Sequence, residues 1–269
     1  MHSYIKFLFQ MIILSFFIIS CSNNSDPLKE EVKNWSVQKL YLTANYQLTK
    51  SNYNRAIKLY EVLESSFPYG VYAQVGLLDL TYAYYQNNDI DKALATVDEF
   101  ITTYPTNANI DYALYLQGYI NYKNDNGLLS NYTGQDLSER DSKSEIDALN
   151  SFMKLVSEYP HSKYYIDAKN KINILINALA RGEIYKARYY MSIKAYLAAV
   201  SRTQDLINQY PNTKFVEEAL AIEVLAYKKL NMNDLSNSVY NILKLNFKNS
   251  YYLNHEWKNT DIAWYKFWR

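Results

Sequence analysis

Four times along this chain an aromatic residue stands directly before a proline, and each time an alanine lies 12 residues before that proline. The pairs are Ala56 with Phe67-Pro68, Ala93 with Tyr104-Pro105, Ala148 with Tyr159-Pro160, and Ala199 with Tyr210-Pro211; they use four of the five prolines in 269 residues. A small residue lets two helices cross closely, about three turns of helix follow, and proline, which lacks an N–H and clashes with the preceding turn, stops the helix. That is the second half of a helix–turn–helix unit, repeated. The chain is therefore expected to fold as an all-α array rather than around a single enzyme core.

The first halves of the units are legible in the same register. In repeat one (about 36–68), Leu40, Ala44 and Leu48 share a face, Lys50-Ser51-Asn52 turns the chain, and Ala56, Tyr60 and Leu63 form the returning face. Ala44 and Ala56 lie 12 apart, the separation at which the two small residues of a tetratricopeptide repeat meet. Repeat two (about 72–105) turns at Asn87-Asn88-Asp89, with Asp89 as the expected N-cap. Repeat three places Gly118 at the crossing, but 30 residues separate it from Ala148, so an irregular insertion falls at the turn, and Ser142-Lys143-Ser144-Glu145 reads as a capping box that restarts the helix. A long helix from about 162 to 191, with Gly182 as an expected bend, carries Ala187 and doubles as the first helix of repeat four. Repeat five is read with Ser238 as its second small residue and Ser250 in place of the closing proline. The expected fold is a tetratricopeptide-like array of about five repeats with an insertion in the third. Its segments are 21–35 as a tether, 36–122 as N-terminal repeats with the first helix of repeat three, 123–141 as the insertion, 142–246 as C-terminal repeats, and 247–269 as an aromatic tail.

Residues 1–20 read as a secretory signal: Lys6 supplies the positive start, and 7–19 is apolar apart from Gln10 and Ser15. Thirteen residues fall short of the roughly 20 that span a bilayer. Ile18-Ile19-Ser20-Cys21 is similar to a bacterial lipobox, in which the cysteine becomes the lipidated first residue; the alternative is a free thiol just past a signal peptide. Ser22 in the next position directs such a lipoprotein to the outer membrane by the usual sorting rule. Cys21 is the only cysteine, so no disulfide forms within the chain. Removing Lys6 with the signal leaves 27 basic and 27 acidic side chains, a balance that gives no electrostatic reason to expect nucleic acid as a partner.

Chemistry-bearing constellations are missing from the sequence. His2, His161 and His255 are scattered, without metal-ligand spacing; six glycines form no phosphate loop, and no nucleophile elbow occurs. No catalytic residue, metal or cofactor is expected. Tyr82, Tyr84 and Tyr85 can either line a peptide groove or fill the interface between repeats. The tail, with Trp257, Trp264, Tyr265, Phe267 and Trp268, can meet a membrane interface or fold back over the last repeat.

Several of these stretches together resemble a known family. Phe67-Pro68-Tyr69-Gly70, Leu78-Asp79-Leu80-Thr81-Tyr82-Ala83-Tyr84-Tyr85, Asn109-Ile110-Asp111-Tyr112 and the insertion residues Asp136, Ser138, Arg140 and Asp141 are similar to the BamD (ComL) family of outer-membrane assembly lipoproteins. The resemblance implies a non-enzymatic subunit of the machinery that inserts β-barrels into the outer membrane, anchored by lipid on Cys21. It implies that C-terminal repeats bind the periplasmic domain of BamA, that N-terminal repeats meet unfolded barrel proteins, and that accessory Bam lipoproteins are further partners. Arg202 then matches the arginine that pairs with an acid of BamA, against the plain reading of an intrahelical pair with Asp205, and Phe67 and Tyr69 fall in the half linked to substrate. A repeat-array lipoprotein serving cell-wall processing, as adaptor or enzyme, is the other reading of the same fold.

Overall fold

The structure is a computed structural model and describes residues 27–124 and 142–259. Cys21, the insertion residues Asp136, Ser138, Arg140 and Asp141, and Trp264, Tyr265, Phe267 and Trp268 lie outside the described residues. Eleven α-helices and no strand occur among those described. They group into two compact units that divide at Asp89–Ile90, a boundary that falls within the 36–122 block.

The first unit holds α1 (Pro27–Val32), α2 (Val37–Thr49), α3 (Tyr53–Ser66) and α4 (Val71–Gln86). Ser36 caps α2 by accepting from the Lys39 amide at 3.2 Å. Ala44 and Ala56 are both fully buried where α2 and α3 pair, and Leu40, Leu59, Tyr60 and Leu63 fill in around them. The segment expected as a tether ends in a helix: Leu28 and Val32 of α1 are buried, and Arg55 of α3 forks onto Glu31 at 2.7 and 2.9 Å. Two apolar residues four apart in an otherwise charged stretch sufficed to dock it.

The second unit holds α5 (Ile90–Thr103), α6 (Ile110–Asn124), α7 (Lys143–Glu158), α8 (Tyr165–Ser192), α9 (Tyr196–Gln209), α10 (Val216–Lys229), α11 (Asn233–Asn246) and a short 3₁₀ turn, Tyr251–Leu253. Two apolar clusters form within it. One gathers Leu114, Ala148, Phe152, Leu155, Leu175 and Leu179; the other gathers Ile184, Ala187, Ala199, Leu206, Ile222 and Leu243, with Trp257. The 28-residue α8 contributes one half to each and runs unbroken through Gly182, where a bend was expected. Gly118 is required where α6 meets α7: a Cβ there would sit 2.7 Å from the Phe152 ring. Ser142 precedes α7 but its side chain makes no capping bond, so the expected capping box is not formed.

Two backbone signatures recur along the array, each in four of the repeats. Ser51, Asn88, Lys194 and Asn231 all adopt the left-handed conformation (φ 59 to 64°), and each precedes the small residue of its second helix by five positions. For non-glycine residues this conformation costs about 1–2 kcal/mol, which the packing of the returning helix offsets. At the far end, Phe67, Tyr159 and Tyr210 close their helices with φ near −130° and ψ between 53 and 66°. Phe247 does the same, at φ −126° and ψ 68°, although Lys248 follows it instead of proline. This corrects the register of repeat five. Ser238 is exposed, whereas Ser236 is buried and bonds the Val224 carbonyl at 3.0 Å; the proline position is Lys248, and Ser250 instead caps the 3₁₀ turn.

Candidate partner-binding surfaces

Arg202 lies on α9 between Ala199, Thr203 and Leu206, all fully buried, so its own side chain points away from the core and is 36% exposed. It lines a groove with Lys143 and Ile146 of α7, Glu183 of α8, and Asp205 and Gln209 of α9. Its guanidinium stands 3.4 Å from Glu183 and 3.4 Å from Asp205. The intrahelical pair with Asp205 is thus present, but neither contact has the 2.7–2.9 Å length of a tight charge-assisted bond. Glu183 is held more closely by Lys186, at 2.8 Å. Arg202 is therefore a shared cation on an open wall.

Phe67, Pro68, Tyr69 and Gly70 form the bridge from α3 to α4 in the first unit. The Phe67 amide closes α3 on the Leu63 carbonyl at 2.8 Å, and its ring is half-buried. Tyr69 is 87% exposed, and Val71 beside it is 73% exposed. Gly70 has φ +98°, a conformation open to glycine, which turns the chain into α4 and leaves the Tyr69 ring facing solvent. Of the two residues singled out in this motif, Tyr69 is the one presented. Tyr84 takes the core role: it is buried and donates to Glu61 at 2.7 Å, while Tyr82 is partly exposed.

Sequence reasoning missed three polar assemblies. In the first unit, one oxygen of Asp79 accepts from Tyr41 (3.1 Å), Tyr60 (3.1 Å) and Asn45 (3.4 Å). Burial pushes the Asp79 carboxyl up, against those three bonds, and burial together with the Asp79 charge pushes Tyr41 up to about 12. An acid inside Leu77-Leu78-Asp79-Leu80 was the available signal. In the second unit, Lys171 bonds Asp167 at 2.6 Å and lies 5.6–6.0 Å from the ring centres of Tyr115, Tyr119 and Tyr122. Burial would raise Asp167, but its bonds from Lys171 and Tyr115 hold it below the usual carboxylate range.

The third assembly fixes the tail. Arg188 of α8 grips Glu218 of α10 with two bonds of 2.7 Å, and the indole of Trp257 donates to the same Glu218 at 3.1 Å. Trp257 is 6% exposed, and Tyr240 donates to the Leu253 carbonyl at 3.1 Å. Up to Asn259, then, the tail folds back over the last repeat.

Taken together, paired helices with small residues at their crossings define a helical-repeat protein, and no group of metal-binding side chains occurs among the described residues. None of the described helices is long and apolar enough to cross a membrane. Residues 33–242 match the YfiO family, described as outer membrane lipoprotein, and the chain belongs to that family. Curated relatives are named outer membrane protein assembly factor BamD. The protein of Neisseria meningitidis serogroup B (MC58) is 44% identical over 88% of each chain, that of Neisseria gonorrhoeae 43% over 91% of each, and that of Vibrio cholerae 31% over 85% of this chain and 93% of its own. Among solved structures, the TPR2AB domain of yeast Sti1 is similar at a TM-score of 0.42 and 12% identity, covering 80% of this chain and 78% of that one.

Proposed function

We propose that this chain is an outer-membrane protein assembly factor: a non-enzymatic lipoprotein, anchored at the periplasmic face of the outer membrane through Cys21, that binds BamA and unfolded β-barrel proteins, with accessory Bam lipoproteins as further partners. The observation that carries the reading is identity of 44% across 88% of both chains to a relative bearing that name.

Arg202 is the contact to BamA in this reading. A guanidinium divided between two acids at 3.4 Å loses little by exchanging one of them for a carboxylate of a partner. Once enclosed in an interface, such a pair costs about 2–5 kcal/mol to break. Exposed Tyr69, with Phe67 behind it, offers rings and nearby backbone to an extended aromatic segment in the first unit. Copurification tests the assignment. Arg202→Glu should sharply weaken recovery of BamA while the repeats unfold at the same denaturant concentration, and an acid-to-base change in BamA should restore part of it. Full BamA recovery by the folded mutant at elevated salt would return Arg202 to the role of a surface helix pair.

A further inference from the structure

The nearly neutral total charge hides a lopsided first unit. From Val32 to Tyr60 the chain carries Lys33, Lys39, Lys50, Arg55 and Lys58 and not one acid. Two of these cations have partners just upstream: Lys33 stands 3.7 Å from Glu30, and Arg55 grips Glu31. Lys39 and Lys50 meet no acid among the described residues. Each lies instead over an aromatic ring, Lys39 at 4.2 Å from the centre of Trp35 and Lys50 at 5.7 Å from that of Tyr46.

These residues belong to one stripe. Trp35, Lys39, Leu42, Tyr46 and Lys50 follow one another at intervals of 4, 3, 4 and 4, which puts them along a single side of α2 and its two ends. The other sides of the helix are taken: Leu40 and Ala44 are buried where α2 meets α3, and Tyr41 and Asn45 reach Asp79 of α4. The stripe is left to solvent, with Leu42 55% and Tyr46 58% exposed beside an open depression of about 420 Å³. An aliphatic side chain and two amphipathic rings interleaved with lysines suit a bilayer interface. There the rings enter the headgroup layer, the lysine stems lie along apolar surface, and the ammonium groups meet phosphate.

We propose that this stripe of α2 lies on the membrane surface, against anionic phospholipid headgroups. Charge complementarity is one support, since a segment of 29 residues with five cations and no acid faces a surface of phosphates. Position is the other, and here the proposal rests on the anchoring through Cys21 given above. Six residue steps separate Cys21 from Pro27, a span of at most about 20 Å. From Pro27 onward the chain is fixed: Leu28 and Val32 are buried, and the Trp35 amide donates to the Val32 carbonyl at 2.8 Å, so α1 turns directly into α2. An anchor limits distance and leaves orientation free. The stripe supplies the orientation, by giving the first unit one side that prefers the bilayer.

Fluorescence of the full chain on vesicles tests this. An environment-sensitive fluorescent amino acid replaces Leu42 or, as the reference, Lys58, which is exposed two residues past buried Ala56 and so on the outward side of α3. On vesicles of phosphatidylethanolamine and phosphatidylglycerol, emission from position 42 should shift to the blue and be quenched by bromine on the acyl chains, while position 58 does neither. Lys39→Gln with Lys50→Gln should lower the ratio of immersed to free label at 42 by about tenfold without moving the unfolding midpoint, and about 1 M salt should do the same to the unaltered lysines. Position 42 left in water overturns the proposal, as does immersion indifferent to both the lysines and salt, or protection that comes only when a barrel protein or other polypeptide is added. Flotation with vesicles of neutral lipid alone reads the anchor separately, because acyl chains hold whatever the headgroup charge. A chain that fails to float there has lost the Cys21 reading, and immersion of position 42 on the anionic vesicles then still decides for or against the stripe.

Discussion

Two arginines of the second unit, Arg188 on α8 and Arg202 on α9, meet acids in opposite ways. Arg188 holds Glu218 with two bonds of 2.7 Å, both side chains are 20% exposed or less, and Trp257 closes over the acid. Arg202 stands 3.4 Å from two acids at once and keeps 36% of its side chain exposed. A pair that is short, forked and covered has spent its donors inside the fold, and removing one member strands a half-buried charge. A pair that is long, divided and open contributes little to the fold and leaves its donors accessible. Proximity of opposite charges alone does not separate the two cases; length, number of bonds and cover do.

The sharpest way to break this comparison is Arg188→Ala. Glu218 would remain under Trp257 without its cation, and a loss of about 3 kcal/mol is expected, read from the denaturant midpoint together with a change in Trp257 emission. If the midpoint holds, the fork is ornamental and the contrast collapses. Next in size is Ala199→Leu, three residues before Arg202 on the same helix. Ala199 is fully buried, so the added methylenes overpack the crossing with Ala187 by about 1–3 kcal/mol; a neutral result would mean that the small residue does not set the repeat register. Smallest is Arg202→Ala without any partner present. The expected change in stability is below about 1 kcal/mol, fading further with salt, and calorimetry of the isolated protein at low and high salt gives the measure. A loss like that of Arg188→Ala would place Arg202 in the scaffold and remove the case for its availability.

Helix pairing was legible in the sequence because one small residue and one aromatic-proline step mark each unit at fixed spacing. Ala56, Ala93, Ala148 and Ala199 are all fully buried, as the register requires. Repeat five was misread by two residues because Ser236 and Ser238 both qualify as small, and no proline marks the helix end. The left-handed residue at Asn231, five positions before Ser236, is the signal that resolves it. Arg202 stood out through family resemblance and its offset from the Ala199, Thr203, Leu206 stripe. Nothing local foretold Arg188 and Glu218, which are 30 residues apart and meet only once α8 and α10 are packed. The Asp79 cluster was partly visible, as an acid within a leucine run, but its donors Tyr41 and Asn45 come from another helix. Pairing across helices escapes a reading that follows periodicity along one.

The long helix α8 has a thermodynamic consequence of its own. In an ordinary repeat array each unit can fray or melt with only its neighbours as witness, so stability is close to a sum of local terms. Here a single 28-residue helix, about 42 Å long, places Leu175 and Leu179 in one core and Ile184 and Ala187 in the next. Neither core can lose its half of the helix without fraying the hydrogen-bonded ladder that supports the other. The junction after the interrupted third repeat is therefore a point where modularity stops, and the repeats on either side of it share one folding fate.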